Sequence, residues 1–139
     1  MGFTVDFSEF NRMAKKYEQM EKEFNQFLEK FLVEMAERIL ARTKPKTPVD
    51  TGALRSAWEL GNITGSGKEI SIEILNPMEY ATDIEYGHRI VVGTGQNKKE
   101  VGWYNGRFML KTSIDEIQKQ MPYRFNAQFA DFCKRLGIE

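Results

Sequence analysis

Asp50-Thr51-Gly52 is the triplet on which aspartic proteases carry a catalytic carboxylate. That chemistry needs two such loops to meet across a dyad so that two carboxylates share one proton, which a homodimer with one copy per chain could supply. Ile90-Val-Val-Gly93 even imitates the hydrophobic-hydrophobic-Gly segment that braces such loops. The surroundings oppose the reading. A protease triplet ends an apolar strand and returns to sheet, whereas Asp50 follows Lys44-Pro-Lys-Thr-Pro-Val and precedes Ala53-Leu-Arg-Ser-Ala, a helix-favouring run. The local reading fits better. Asp50 or Thr51 can accept backbone N–H bonds at a helix start, and Gly52 permits a conformation that a larger residue resists. Arg55, one turn on, can pair with Asp50 or with an acid elsewhere such as Glu85.

The remaining reactive types assemble no catalytic set. His88 is the single histidine, so one chain cannot form a two-histidine metal site or a Ser/His/Asp set. It reads as a local hydrogen-bonding group after a glycine-capped helix. Cys133 reads as a small buried hydrophobe on a helix, and one cysteine makes no internal disulfide. Gly93-Thr-Gly95 lacks the remaining spacing and the Lys-Ser/Thr ending of a phosphate loop. Lys98-Lys99 beside Trp103 and Tyr104 could touch a nucleic-acid backbone, although a solvated loop tip explains the same residues. No cofactor or metal is expected.

These residues must be positioned by a small number of elements. Asp6, Glu9, Val5 and Phe10 carry helix-start chemistry, and Phe10, Tyr17, Phe24 and Phe31 recur every seven residues with further apolar positions to Leu40. A helix is expected to about Thr43, on the order of 50 Å long at 1.5 Å per residue. That exceeds the need of one small domain. Phe10, Tyr17 and Phe24 are therefore candidates for packing on another subunit, the alternative being a helix lying across its own sheet. Glu18 with Lys22, and Glu34 with Arg38, read as a solvated face. Pro45 and Pro48 end the helix. Ala53–Trp58 reads as a short helix, and residues 58–64 and 69–75 as an antiparallel hairpin. Asn76-Pro-Met-Glu79 opens a short helix over 77–86, closed by Gly87 in a left-handed terminus. Residues 89–92 and 100–104 read as a second strand pair, joined by the polar connection from Gly93 to Lys99. Phe108 onward is helical again, and Pro122 divides it into a bent or broken pair.

The expected fold is therefore α+β: a long N-terminal helix and C-terminal helices packed on an antiparallel sheet of about four strands. The 139 residues suit one domain, divided as helix over 1–43, sheet with two short helices over 44–107, and C-terminal helices over 108–139. Twenty Lys plus Arg against twenty Asp plus Glu advertise neither a polyanion nor an anionic membrane as partner. No apolar run approaches bilayer length, and the N-terminus lacks a basic stretch followed by an apolar one, so a soluble, unexported protein is expected.

Two motifs in this order resemble a known family. Pro48, Asp50, Thr51, Gly52, Leu54 and Arg55 lie in the first, "PVDTGALRSA". Tyr80, Ala81, Glu85, Tyr86, Gly87 and His88 form the second, "YA…EYGH", and Phe108-Met-Leu110 opens a last helix. Over about residues 20 to 120 the chain resembles the head-tail joining, tail-completion or minor tail component proteins of tailed bacteriophages and prophages. Phe108-Met-Leu-Lys-Thr112 departs from the proline-bearing start of the last helix in that family. The resemblance implies a non-enzymatic structural protein of the virion neck or tail, present in the host cytoplasm before assembly. It implies a ring, sixfold as in the family, between a head-side connector and a tail-tube or terminator protein. Gly93, Gly95, Lys98 and Lys99 are then candidates for reaching a neighbour, or for weak contact with DNA in the channel. Two alternatives stay open: a homodimeric aspartic protease using Asp50, and a small nucleic-acid-binding protein.

Overall fold

The computed structural model describes residues 2–9, 20–49, 52–66, 69–93 and 95–137. The candidate residues Phe10, Tyr17, Asp50 and Thr51, and Glu18 of the Glu18–Lys22 pair, lie outside them. The elements in order are β1 (Gly2–Asp6), α1 (Glu21–Lys46), α2 (Ala53–Ser56), β2 (Glu59–Ser66), β3 (Glu69–Leu75), α3 (Ala81–Tyr86), β4 (Gly87–Val92), a 3₁₀ turn (Gly95–Asn97), β5 (Lys99–Asn105) and α4 (Met109–Arg135). The fold is α+β, with five described strands in two sheets rather than four in one.

The larger sheet has the order β1-β3-β2, antiparallel throughout. The expected 69–75 strand lies in its centre, and its alternation is the cause of its placement: Ile70, Ile72 and Ile74 point inward and are buried, while Glu69 and Glu73 face out. Strand β1 was not anticipated. Its short run, Phe-Thr-Val, alternates over too few residues to stand out beside helix-start signals. Those signals do act just beyond it, where the Ser8 N–H donates to Asp6 Oδ1 at 2.8 Å.

Helix α1 lies between this sheet and α4. Buried Phe24, Phe27, Leu28, Phe31, Leu32, Met35, Ala36 and Ile39 make a stripe wide enough to face both. The two helices run antiparallel: Lys46 near the end of α1 meets Ser113 near the start of α4, and Phe24 and Phe27 near its start meet Phe132 near the end of α4. Phe27 stacks on Phe132 with ring centroids 4.8 Å apart, and Phe31 meets Phe125 edge-on at 5.3 Å. Phe7, arriving from β1, fits between them at 5.3 Å from Phe125 and 6.3 Å from Phe31.

This cluster corrects the assignment of Phe24 to a subunit interface. Phe24 is buried within its own chain, because Phe129 and Phe132 supply the aromatic surface that its stripe requires. The C-terminal helices are likewise one helix. Pro122 removes a single backbone bond, whereas the aromatic contacts after it hold the axis against α1. Cys133 packs half-buried against the same core, as expected of a small hydrophobe.

A polar seam closes the other end of the helix pair. Arg42 and Lys46 both reach Glu116, Lys46 at 2.7 Å, and Lys46 Nζ also donates to Ser113 Oγ at 2.9 Å. Hydrogen bonds from Lys46 first and Arg42 second hold the Glu116 carboxyl below its ordinary value of 4.5. Glu34, with its expected partner Arg38 at 3.9 Å, accepts a 2.7 Å bond from Gln128 across the helices.

Two outcomes test this packing. Phe31→Ala should lower unfolding stability by about 3–5 kcal/mol in urea titrations, the usual cost of deleting a core phenylalanine. Because the Glu116 pKa is lowered on folding, its contribution is complete above 4.5 and lost as pH falls through the folded value. The urea midpoints of the parent and Glu116→Gln should therefore differ at neutral pH and converge in acid; a constant gap would exclude the ion cluster as the cause.

Candidate functional site

The first motif ties the end of α1 to the strands. Helix α1 continues three residues past the expected Thr43 and takes Pro45 into its last turn. Side-chain hydroxyls add bonds to carbonyls of the last turns: Thr47 Oγ1 donates to the Thr43 carbonyl at 2.9 Å, and Thr43 Oγ1 to that of Ile39 at 2.7 Å. Buried Trp58 then donates Nε1–H to Thr47 Oγ1 at 2.9 Å. The Arg55 guanidinium donates to the carbonyls of Thr47 at 3.0 Å and Pro45 at 3.4 Å, placing a cation at the negative end of α1. Gly52 stands at φ +83°, ψ −8°, the left-handed conformation expected of it, and opens α2. Leu54 is buried, and its carbonyl accepts from Asn76 Nδ2 at 2.9 Å. Val49, next to Pro48, is exposed.

Of the two acids offered for Arg55, Asp50 lies outside the described residues and Glu85 does not pair with it, because both groups are committed elsewhere. Glu85 is fully buried and works at the start of α4. Its Oε1 accepts the Leu110 N–H at 2.9 Å and its Oε2 the Lys111 N–H at 3.0 Å. Carbonyls of the same short helix accept from the approach to α4: Arg107 N–H donates to Ile84 O at 2.8 Å and Phe108 N–H to Glu85 O at 3.0 Å. A carboxylate on the free N–H groups of a helix start satisfies orphan donors and complements the helix dipole.

Helix α3 starts at Ala81, later than the expected Pro77, because Asn76 spends its side chain on a turn. Its Oδ1 accepts from the Met78 N–H at 3.1 Å, and the Ala81 N–H then bonds to Met78 O at 3.0 Å. Ala81 is buried and Tyr80 exposed. Gly87 has the expected positive φ of 89°, but its ψ of 172° makes it the first residue of β4 rather than a left-handed turn. A Cβ there would lie 2.5 Å from Tyr104 O, and one on Gly106 would lie 2.5 Å from Glu85 O, so two glycines allow the chain to cross itself at this point.

From that crossing the β4–β5 hairpin leaves the body. His88 pairs with Tyr104, Arg89 with Trp103, Ile90 with Gly102 and Val92 with Lys99, with an irregularity between Ile90 and Val91. His88 stacks on Tyr104 at 5.2 Å, and its buried Nδ1 has no hydrogen-bond partner among the described residues. Tyr86 meets Phe108 edge-on at the base. Beyond it, Ile90, Val91, Val92, Val101 and Trp103 are all exposed, Trp103 by 55% and Val92 by 57%. Gly93, at φ +101°, and Gly95, at φ +57°, shape the tip, where Lys98 and Lys99 face solvent. The apolar hairpin surface was missed in the sequence, although adjacent Ile-Val-Val in a strand signals apolar groups on both faces.

Among the described residues no group of three His, Cys, Asp or Glu side chains is placed to hold a metal ion, and no helix is long and apolar enough to cross a membrane. The fold and site define a structural module: a helix pair on a small sheet, with both helix junctions clamped and a β-hairpin presented outward. The chain belongs to the phage tail-component family described as "Bacteriophage HK97-gp10, putative tail-component", whose model matches residues 11–87, just over half the chain. The first motif and the second as far as Gly87 lie within the match, and His88 with the rest of the hairpin lies outside it. Searches among curated proteins and among solved structures give no match.

Glu85→Gln should destabilise the fold by about 1–3 kcal/mol in thermal or urea unfolding, because an amide NH₂ then faces a backbone N–H inside the junction. Arg55→Met, which keeps length and removes the donors, should cost about 1–2 kcal/mol at the exposed end of α1. Equal stability of both variants and parent would exclude these clamps as supports.

Proposed function

We propose that this protein is a structural part of the phage neck or tail end, assembling as a ring, sixfold as the family resemblance implies, that joins the head connector to the tail. The observation that carries the reading is the β4–β5 hairpin, anchored at its base yet apolar and exposed on its length. An isolated two-stranded hairpin is marginal in water, and an exposed apolar surface of this kind marks an interaction site. Membership of a tail-component family supplies the setting. On this reading the protein performs no turnover, works in the virion, and meets a connector on one side and a tail-tube or terminator protein on the other. Lys98 and Lys99 at the tip would make at most weak contact with DNA in the channel, since passage requires binding that releases.

The protease alternative loses its structural context, because the chain enters a helix directly after Gly52. Light scattering and electron microscopy of the protein, alone and with connector and tail-tube proteins, test the ring. Closed oligomers in either condition are the expected result, and a monomer in both would overturn the reading.

A further inference from the structure

The hairpin has a complement on its own chain. Between α1 and β2 lies an open depression of about 310 Å³ lined by Glu29, Lys30, Val33, Glu34, Glu37 and Ile63. Its apolar surface is Val33 and Ile63, the latter 37% exposed. Glu34 is engaged with Gln128 and Arg38, whereas Glu29 and Glu37 have no ion-pair partner among the described residues. Strand β2 is an outer strand of the β1-β3-β2 sheet, with no strand on its far side among the described residues.

The hairpin tip carries the opposite signs. Lys98 and Lys99 have no ion pair among the described residues, and they flank Val91, Val92 and Val101. Arg89 is held only loosely, 3.9 Å from Glu100 with both side chains largely exposed. The balanced total charge therefore conceals two separated patches, a basic apolar tip and an acidic apolar depression. A strand of seven residues spans about 20 Å, enough to cross onto an adjoining molecule.

Resting on the ring reading, we infer that the β4–β5 hairpin of one copy seats on the α1–β2 depression of the next, Val92 and Val101 against Val33 and Ile63, and Lys98 and Lys99 against Glu29 and Glu37. The two surfaces differ, so the contact is head-to-tail, and such a contact generates a ring when its rotation closes. Opposite charges fix which surface meets which, because tip-on-tip and depression-on-depression contacts each bring like charges together.

The experiment uses the full chain with Cys133→Ser. Val92→Cys and Ile63→Cys variants are mixed under conditions where light scattering reports oligomers, and then oxidised. The expected product is the mixed 92–63 disulfide dimer, in several-fold excess over 92–92 and 63–63 dimers. Lys98→Glu with Lys99→Glu should abolish oligomers, and adding Glu29→Lys with Glu37→Lys should restore them. Unchanged circular dichroism and unfolding midpoints establish that each variant is folded. Oligomers without the mixed disulfide, or no rescue by the charge exchange, overturn this pairing and leave the ring reading intact. A chain that remains monomeric alone and with connector and tail-tube proteins overturns both.

Discussion

The buried Glu85 carboxylate is the constraint around which the second half of the molecule is arranged. One side chain satisfies two N–H groups of α4, and its own carbonyl holds the residue before that helix. Burying a carboxylate is costly unless it is well bonded, and the start of a helix offers donors that would otherwise be left without partners. The need is therefore mutual: α4 requires an acceptor, Glu85 requires donors, and the hairpin between them is obliged to leave and return at the same place. Phe108 is held at φ 47°, ψ 44°, a conformation that a bulky residue adopts only where its surroundings enforce it.

The first motif solves the mirror-image problem on the other helix, at the same end of the pair. There the C-terminus of α1 has surplus carbonyls, and Arg55, Thr47 and Trp58 supply donors in a chain of bonds. Cation at a helix end and anion at a helix start are the two electrostatically favoured arrangements. The Arg42–Lys46–Glu116 cluster repeats the same logic between the helices, basic groups late in α1 against an acid early in α4.

Much of this was legible in sequence because it rests on local chemistry. The alternation of residues 69–75, the capping role of Asp6, the turn at Gly52 and the hairpin glycines each follow from periodicity or backbone freedom. What was not legible depends on distant partners. The Phe24 stripe read equally as an interface or a core, and only the return of Phe129 and Phe132 along α4 decides between them. Glu85 looked like a partner for Arg55 because charge suggests charge, whereas backbone N–H groups carry no mark in a sequence. Pro45 and Pro122 were read as breaks, since a helix rule cannot weigh one lost bond against tertiary contacts formed later in the chain.

The contact between Gly87 and Gly106 sets a mechanical condition on whatever the hairpin meets. With no side chain at either position, backbone rests directly on backbone, and the root of the hairpin has little room to rock. The hairpin is a lever about 20 Å long, so a tilt of about 10° at its root would carry the tip roughly 3 Å, one residue of strand register. Two hydrogen atoms at the fulcrum thus govern how closely the tip can be aimed at a partner's surface.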